Sequence, residues 1–127
     1  IGSDVSRWKV GDEVVQMGMA GGFADSLVVN ENSLLPKPSA LSMTEAAGIG
    51  ITYFTSYYAL VQRANIQKGE TLLVLGAAGG VGSTAVELGK ALGAHVIAAA
   101  SSDDKLELCK TLGADEVINY STEDVRC

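Results

Sequence analysis

The chain has 127 residues, 47% of them hydrophobic, which is enough to bury a core of its own and is an ordinary length for one domain. Its formal net charge of −6, with the basic residues scattered, disfavours nucleic acid as a partner because the long-range field repels a polyanion. No apolar run is long enough to span a bilayer, so we expect no membrane segment.

Residues 11–38 carry short β-like signals. Val14 and Val15 form one apolar pair, and residues 23–29 form a longer run after a glycine break. The pattern predicts hairpin-rich β structure, with Trp8 and Phe23 in its core.

Two helices are predicted next. Ser42 and Glu45 have the spacing of a capping box, in which each side chain bonds the other residue's backbone amide, so a short helix should begin there. A second helix should run from about Thr55 through Ala64.

From residue 71 onward, strands and helices alternate. Residues 71–75 form a continuous apolar run, typical of a strand buried on both faces, and residues 95–100 are predicted to be a second buried strand. The helix between them should end at Gly93 as a left-handed cap. Its predicted buried face consists of Val81, Ala85, Leu88 and Leu92.

Another helix is predicted over residues 104–112, with Gly113 directly after it. It leads to a third strand that starts with residues 116–119. The order strand, helix, strand, helix, strand is that of a doubly wound parallel sheet, so the predicted fold class is α/β. Three strands are half of a complete dinucleotide-binding domain, and we therefore expect a fragment of a longer chain or a very short isoform.

A glycine-rich turn follows the first of these strands. Residues 77–82 read Ala-Ala-Gly-Gly-Val-Gly, an A-x-G-x-x-G version of the dinucleotide fingerprint. Gly79 would let the backbone approach a pyrophosphate, and Gly82 would let the helix lie close to the strand. Glycine clusters also occur in plain turns, but the flanking strand and helix favour a cofactor site.

The acidic residue that often holds a ribose hydroxyl in such sites is missing. The second strand ends in Ala100 and is followed by Ser101, where many dinucleotide-binding chains have Asp or Glu. Either the cofactor interpretation is wrong, or the cofactor carries a group at that ribose which a carboxylate would repel.

Residues 68–120, together with the upstream stretches WKVGDEVV, GGFADSLVV, LPKPSALSMTEAAGI and YFTSYYAL, carry a family resemblance. The sequence resembles the zinc-independent quinone oxidoreductase branch of the medium-chain dehydrogenase/reductase superfamily, the group that includes zeta-crystallin. The resemblance implies the tail of a GroES-like β domain at 1–41, connecting helices at 42–66, and the N-terminal half of a Rossmann domain at 67–127.

The resemblance also implies that no metal is bound. Zinc-dependent relatives carry a cysteine-rich lobe where this chain has only residues 16–21, and they place a Cys ligand where this chain has Ile51. An isoleucine cannot ligate zinc, so a Lewis-acid mechanism is not expected.

In the family register Ala100 stands where NAD-specific relatives have their acid, which favours NADPH. Lys105 would supply a cation to the 2′-phosphate, and Thr55 resembles the family threonine beside the nicotinamide, although it could equally be a helix cap. Two alternatives stay open: Asp103 could turn toward the ribose, and Lys105 could point to water. The predicted cofactor-binding residues are Thr55, Ala77, Ala78, Gly79, Gly80, Val81, Gly82, Ser101, Ser102, Lys105 and Tyr120.

The resemblance implies an NADPH-dependent reductase that passes a hydride to a quinone or activated alkene, with no catalytic acid or base in this segment. An enal or enone reductase of the same superfamily is one alternative, and a non-enzymatic NADPH-binding or structural, crystallin-like protein is another. The segment by itself is expected to be inactive, and the full-length protein is expected to be a homodimer.

Cys109 and Cys127 form no Cys-x-x-Cys pair and have no nearby His, so both are interpreted as structurally incidental. So few cysteines suit a reducing compartment, and we expect a cytoplasmic protein. A mitochondrial location stays open because the chain has no Met at position 1. His95 has no carboxylate or Cys partner nearby in sequence and is expected at a surface or a strand edge.

Overall fold

The computed structural model describes residues 1–18 and 20–124. The chain divides into two compact units, Ile1–Gly50 and the residues from Ile51 onward. The predicted domain boundaries after residues 41 and 66 stay predictions. No helix in the described part of the chain is long and apolar enough to cross a membrane.

The first unit contains one antiparallel pair, β1 (Val14–Gln16) with β2 (Leu34–Pro36), preceded by a 3-10 turn at Glu31–Ser33. The expected strand over residues 23–29 was wrong: no strand lies there, and Phe23 is fully exposed instead of in a core. A strand needs a neighbour for its backbone hydrogen bonds, which a local apolar run does not supply. Trp8 is half-buried, and its indole nitrogen donates to the Glu31 carbonyl at 3.0 Å.

The capping box is confirmed at the start of α1 (Met43–Tyr57). The Ser42 amide donates to Glu45 Oε2 at 2.8 Å, and the Glu45 amide donates to Ser42 Oγ at 3.2 Å. Ser42 Oγ also donates to Glu45 Oε2 at 2.7 Å, and this hydrogen bond, together with the one from the Ser42 amide, lowers the pKa of the Glu45 carboxyl. The helical structure predicted from about Thr55 through Ala64 is confirmed, but the expected break before it was wrong: α1 continues directly into a π-helical segment, Tyr58–Arg63, and no proline interrupts it.

The second unit contains a parallel sheet in the order β3 (Thr71–Leu75), β4 (His95–Ala100), β5 (Glu116–Asn119). All three strands lie where they were predicted. The crossovers are α2 (Gly80–Ala91) and α3 (Asp103–Thr111), the latter shifted by one residue from its predicted bounds. Gly93 and Gly113, which follow these helices, have φ of +84° and +102°, so the left-handed end predicted at Gly93 is confirmed.

One face of the sheet is covered by α2 and α3. Right-handed crossovers between successive neighbouring strands place both helices on this face. The opposite face of β3 is open, with Leu73 46% and Leu75 65% exposed, so the expected burial of β3 on both faces was wrong for the described residues. The buried core between helices and sheet includes Val74, Val86, Val96, Ala98 and Cys109.

The face of α2 that approaches the sheet differs from the predicted one. Val81 is exposed, whereas Val86 and Gly89 are buried and Ala85 lies against the core. A Cβ on Gly89 would lie 2.6 Å from Leu72 Cδ2. Glycine contributes no side chain to an apolar pattern, yet here its lack of a side chain lets α2 pack directly against Leu72 and Val96 of the sheet.

Candidate dinucleotide-binding site

A cleft of about 260 Å³ lies at the carboxyl edge of the parallel sheet. Gly76 directly follows β3, Ala100 ends β4 and Tyr120 directly follows β5, so one loop or strand end from each strand contributes to it. Open α/β sheets bind ligands at this edge. The lining residues are Gly76, Ala78, Gly79, Ala100, Lys105 and Tyr120.

The glycine loop is held in one conformation by its own backbone. Gly76 has a φ of +65°, and its carbonyl accepts a hydrogen bond from the Gly79 amide at 3.0 Å. The buried Ala77 donates its amide to the Ala99 carbonyl at 3.0 Å. Ala77 is not among the described residues with positive φ, so alanine fits the first position of the fingerprint without strain.

Gly82 is a steric requirement of the loop. A Cβ built on it would lie 2.3 Å from the Gly76 carbonyl oxygen and 2.8 Å from Ala77 Cα. Both atoms belong to the backbone and cannot rotate away. The role predicted for Gly82, close contact between helix and strand, corresponds to this geometry.

The first turn of α2 is suited to an anion. Gly79 is the N-cap and has extended backbone angles, no side chain caps it, and the first turn contains no acidic residue. Amides of the first turn have no partner within the helix, and the helix dipole adds positive potential there. The oxygen atoms of a diphosphate group would accept hydrogen bonds from these N–H groups, so the loop residues fit the expected cofactor.

Two buried hydroxyl groups, one on α1 and one on α2, form hydrogen bonds that fix the first turn of α2. Ser56 is 1% exposed and Thr84 is 6% exposed. Ser56 Oγ donates to the Val81 carbonyl at 2.9 Å and lies 2.8 Å from Thr84 Oγ1, which in turn donates to the Thr52 carbonyl at 3.2 Å. Sequence reasoning missed this pair, because each residue has a second hydroxyl residue directly before it, Thr55 and Ser83, and spacing does not show which hydroxyl is buried.

The end of β4, the first turn of α3 and the residue after β5 also reach the cleft. Ala100 is 1% exposed and lines it, together with Lys105 and Tyr120. Lys105 Nζ donates to Ser101 Oγ at 3.0 Å, and the Tyr120 amide donates to the Ala100 carbonyl at 3.1 Å. Lys105 is therefore solvent-exposed and lies at the edge of the cleft.

Other predicted residues do not line the cleft. Ser102 is the N-cap of α3, and Thr55 is exposed on α1. Gly76 and Ala100, which do line it, were absent from the predicted cofactor-binding residues. The structure brings together Ala78, Gly79, Lys105 and Tyr120, with Ser101 in contact with Lys105.

Asp103 is turned toward β5. Its Oδ1 accepts a hydrogen bond from Asn119 Nδ2 at 2.8 Å, and it is not among the residues that line the cleft. The alternative in which Asp103 turns toward the ribose is therefore not the arrangement seen in this structure.

The ionisable groups with shifted pKa values lie outside the cleft. Burial raises the pKa of the Cys109 thiol, and a hydrogen bond to Glu87 raises the pKa of Tyr53. The hydrogen bond from Lys90 lowers the pKa of Asp115. Cys109 lies in the core, as befits an incidental residue, and Cys127 lies outside the described residues.

His95 has acidic neighbours in space although none is near in sequence. Its Nε2 lies 2.8 Å from Glu116 Oε1 on the adjacent strand, and its side chain is 44% exposed. The expected surface position is confirmed. Within the described ranges, no group of three or more His, Cys, Asp or Glu residues could hold a metal ion, and the expected absence of a metal stays a prediction.

Comparison with known proteins identifies the family. The family model described as zinc-binding dehydrogenase matches residues 80–126. A quinone oxidoreductase from Pseudomonas aeruginosa is 39% identical over 126 residues, which are 98% of this chain and 39% of that protein. The structure of the Escherichia coli quinone oxidoreductase complexed with NADPH matches with a TM-score of 0.89 and 35% identity, over 98% of this chain and 39% of that one. The chain belongs to the zinc-independent quinone oxidoreductase branch of the medium-chain dehydrogenase/reductase superfamily.

Other members of this superfamily are also similar. A crotonyl-CoA reductase from Streptomyces avermitilis is 34% identical over 151 aligned positions, covering 96% of this chain and 34% of that protein. The chain thus spans 34% to 39% of the length of these relatives. The resemblance inferred from the residues is confirmed, and so is the α/β fold class with its Rossmann-type parallel sheet.

Proposed function

We propose that the protein is an NADPH-dependent, zinc-independent quinone oxidoreductase that transfers a hydride to a quinone or an activated alkene. The observation that carries this proposal is the cleft, which a glycine loop at a helix N-terminus lines together with Ala100, Lys105 and Tyr120, with Ala100 at the strand end where an acid would favour NADH. The complex of the E. coli relative with NADPH supports the choice of cofactor.

The loop at Gly79 would hold the pyrophosphate of the cofactor. The uncapped first turn of α2 offers backbone N–H groups, and the hydrogen bonds of Ser56 and Thr84 fix that turn before any ligand arrives. Fixed dipoles bind an anion without a cost for ordering them at the moment of binding.

The end of β4, with the first turn of α3 and the residue after β5, would select the phosphate at the adenosine ribose. Lys105 supplies a positive charge, and Ser101 and Tyr120 supply hydroxyl groups that can donate. Ala100 presents only a methyl group where a carboxylate would repel a 2′-phosphate. The same carboxylate would favour NADH, so its absence supports NADPH.

When bound, NADPH supplies the hydride, and this part of the chain binds and orients the cofactor. We assign no catalytic acid or base within the described residues. The substrate is a small molecule in this proposal, and the whole protein is a cytoplasmic homodimer.

An enoyl or enone reductase is the second candidate. The similarity to crotonyl-CoA reductase favours it, because that relative matches nearly the whole chain. The cofactor site is shared by both candidates, and only the electron acceptor separates them. A purely structural, cofactor-binding role is the outcome if no acceptor is reduced.

The test begins with cofactor affinity of the full 127-residue chain, measured by titration calorimetry with NADPH and NADH. We expect NADPH to bind more tightly, and Lys105→Met to weaken NADPH by about tenfold or more while changing NADH little, because a charge-assisted hydrogen bond is lost. Lys110→Met, on the same helix and paired with Glu107, is the matched control. Equal affinity for the two cofactors in the unsubstituted chain contradicts the proposal.

Turnover is then measured with the longest natural form in which this sequence occurs, beside the 127-residue chain. Oxidation of NADPH is followed with a panel of quinones, enals and crotonyl-CoA. Reduction of quinones supports the first candidate, and reduction of the enals or the thioester alone supports the second. Silence across the panel with intact NADPH binding supports a binding role and contradicts an enzyme.

A further inference from the structure

We propose that Asn119 is a positioning residue for cofactor specificity: it holds the Asp103 carboxylate away from the adenosine ribose and so keeps the cleft open to a 2′-phosphate. The inference rests on the proposed NADPH function and deepens it. Asp103 is the acidic residue closest in sequence to the end of β4.

The sheet register brings the two residues together. Asn119 is the last residue of β5 and is paired with Ala100, the last residue of β4. Asp103 begins α3 three positions after Ala100. The Asn119 amide nitrogen donates to Asp103 Oδ1 at 2.8 Å, which directs the carboxylate toward β5 and leaves it outside the lining of the cleft.

The direction of the Asn119 amide is itself fixed. Its Oδ1 accepts a hydrogen bond from the Ser121 amide at 3.1 Å, and a backbone N–H can only donate. The amide nitrogen must therefore face the carboxylate, which can only accept. Ser121 is tied to the end of β4, because its Oγ donates to the Ser101 carbonyl at 2.9 Å.

The charges around this hydrogen bond explain why it matters. Asp103 and Asp104 both lie in the first turn of α3, and Glu123 Oε1 accepts a hydrogen bond from the Asn119 backbone N–H at 3.0 Å. Lys105 is the cation of the same helical turn that lines the cleft. Without the hydrogen bond from Asn119, the Asp103 carboxylate could rotate toward Lys105 and the ribose. There it would accept hydrogen bonds from the ribose hydroxyl groups and repel a 2′-phosphate.

The experiment uses two adenosine ligands that differ only in the phosphate, 2′,5′-ADP and 5′-AMP. Their dissociation constants are measured for the full 127-residue chain and for Asn119→Thr, a β-branched residue that suits the strand and is too short to replace the amide. We expect the unsubstituted chain to bind 2′,5′-ADP more tightly than 5′-AMP. In N119T the ratio of the 5′-AMP to the 2′,5′-ADP dissociation constant should fall about tenfold, because 2′,5′-ADP binds more weakly. Asn119→Ala is the second variant if N119T lacks the native circular dichroism spectrum.

The double variants separate positioning from a loss of structure. Asp103→Asn added to N119T should restore the preference, because the charge that N119T releases is then gone. Asp104→Asn added to N119T is the matched control: it removes the same charge from the next residue of the helix and should not restore the preference.

Three results overturn the proposal while leaving the proposed function intact: an unchanged preference in N119T and N119A, an equal weakening of both ligands, or no rescue by D103N. An unsubstituted chain without preference for 2′,5′-ADP overturns the proposed NADPH function, and this inference falls with it.

Discussion

At the scale of single residues, the loop that would carry the pyrophosphate depends on one missing Cβ. Gly82 is not among the glycines with positive φ, so an alanine could adopt its backbone conformation. The requirement for glycine at this position is therefore steric, since the Gly76 carbonyl oxygen lies 2.3 Å from the place of a Cβ.

Gly82→Ala should therefore destabilise the second unit by about 1–3 kcal/mol, the usual cost of overpacking against atoms that cannot move aside. Gly80→Ala is the matched control in the same loop, because its Cβ would meet only a methyl group of Thr52 at 3.3 Å. Urea unfolding followed by circular dichroism measures both. Equal free energies of unfolding for the two variants would contradict the steric argument.

At the scale of elements, Asp115 connects a helix to a strand just before β5 begins. Its Oδ1 accepts from Lys90 on α2 at 2.6 Å, and its Oδ2 accepts from the backbone amide of Val96 on β4 at 2.7 Å. These hydrogen bonds, with Lys90 first, lower the pKa of Asp115 in the folded state. Its contribution to stability is therefore present above the pKa of the unfolded chain and is lost as the pH falls through the lower, folded value.

Asp115→Asn should be less stable than the unsubstituted chain at about pH 7, and the difference should shrink as the pH falls below about 4. Urea midpoints across this range measure it. Glu107→Gln, which removes the exposed partner of Lys110, is the control and should change stability little. A difference that stays constant down to the lowest pH would show that Asp115 acts through its shape and not its charge.

The same scale explains which elements could be predicted from the sequence. β3 and β4 were located correctly because each contains a continuous apolar run, and β5 because an apolar pair, Val117 and Ile118, follows a predicted helix and a glycine; all of these are local signals. Residues 23–29 have a similar local signal but no pairing strand, and the buried face of α2 depends on Gly89, whose contribution is the absence of a side chain. Strand pairing and the close packing of α2 on the sheet arise only in the folded chain, so a local sequence pattern does not reveal them.

The candidate site divides in the same way. The glycine loop, Lys105 and Tyr120 could be predicted because they belong to a motif and its expected strand ends. The hydrogen bond between Asn119 and Asp103 joins residues 16 positions apart and depends on the register of β4 and β5. The hydroxyl pair of Ser56 and Thr84 is separated by 28 positions and could not be read from spacing.

At the scale of the whole molecule, the two units differ in how much they bury. Among the described residues of Ile1–Gly50, only Ala46 and Gly50 are buried, whereas the second unit contains the core between the sheet and its helices. Burial of apolar surface is the main source of cooperative stability. The second unit should therefore unfold cooperatively, and the first should lose its structure gradually.

Trp8, the single tryptophan of the chain, lies in the first unit and reports on it separately. The far-ultraviolet circular dichroism signal comes largely from the second unit, which holds α2 and α3. NADPH at about one hundred times its dissociation constant should stabilise the unit that binds it by about 2.7 kcal/mol and raise the melting temperature seen by circular dichroism. The Trp8 fluorescence should change without a sharp transition and without a shift on adding NADPH. One shared transition for both signals, moved equally by the cofactor, would mean that the two units fold as one.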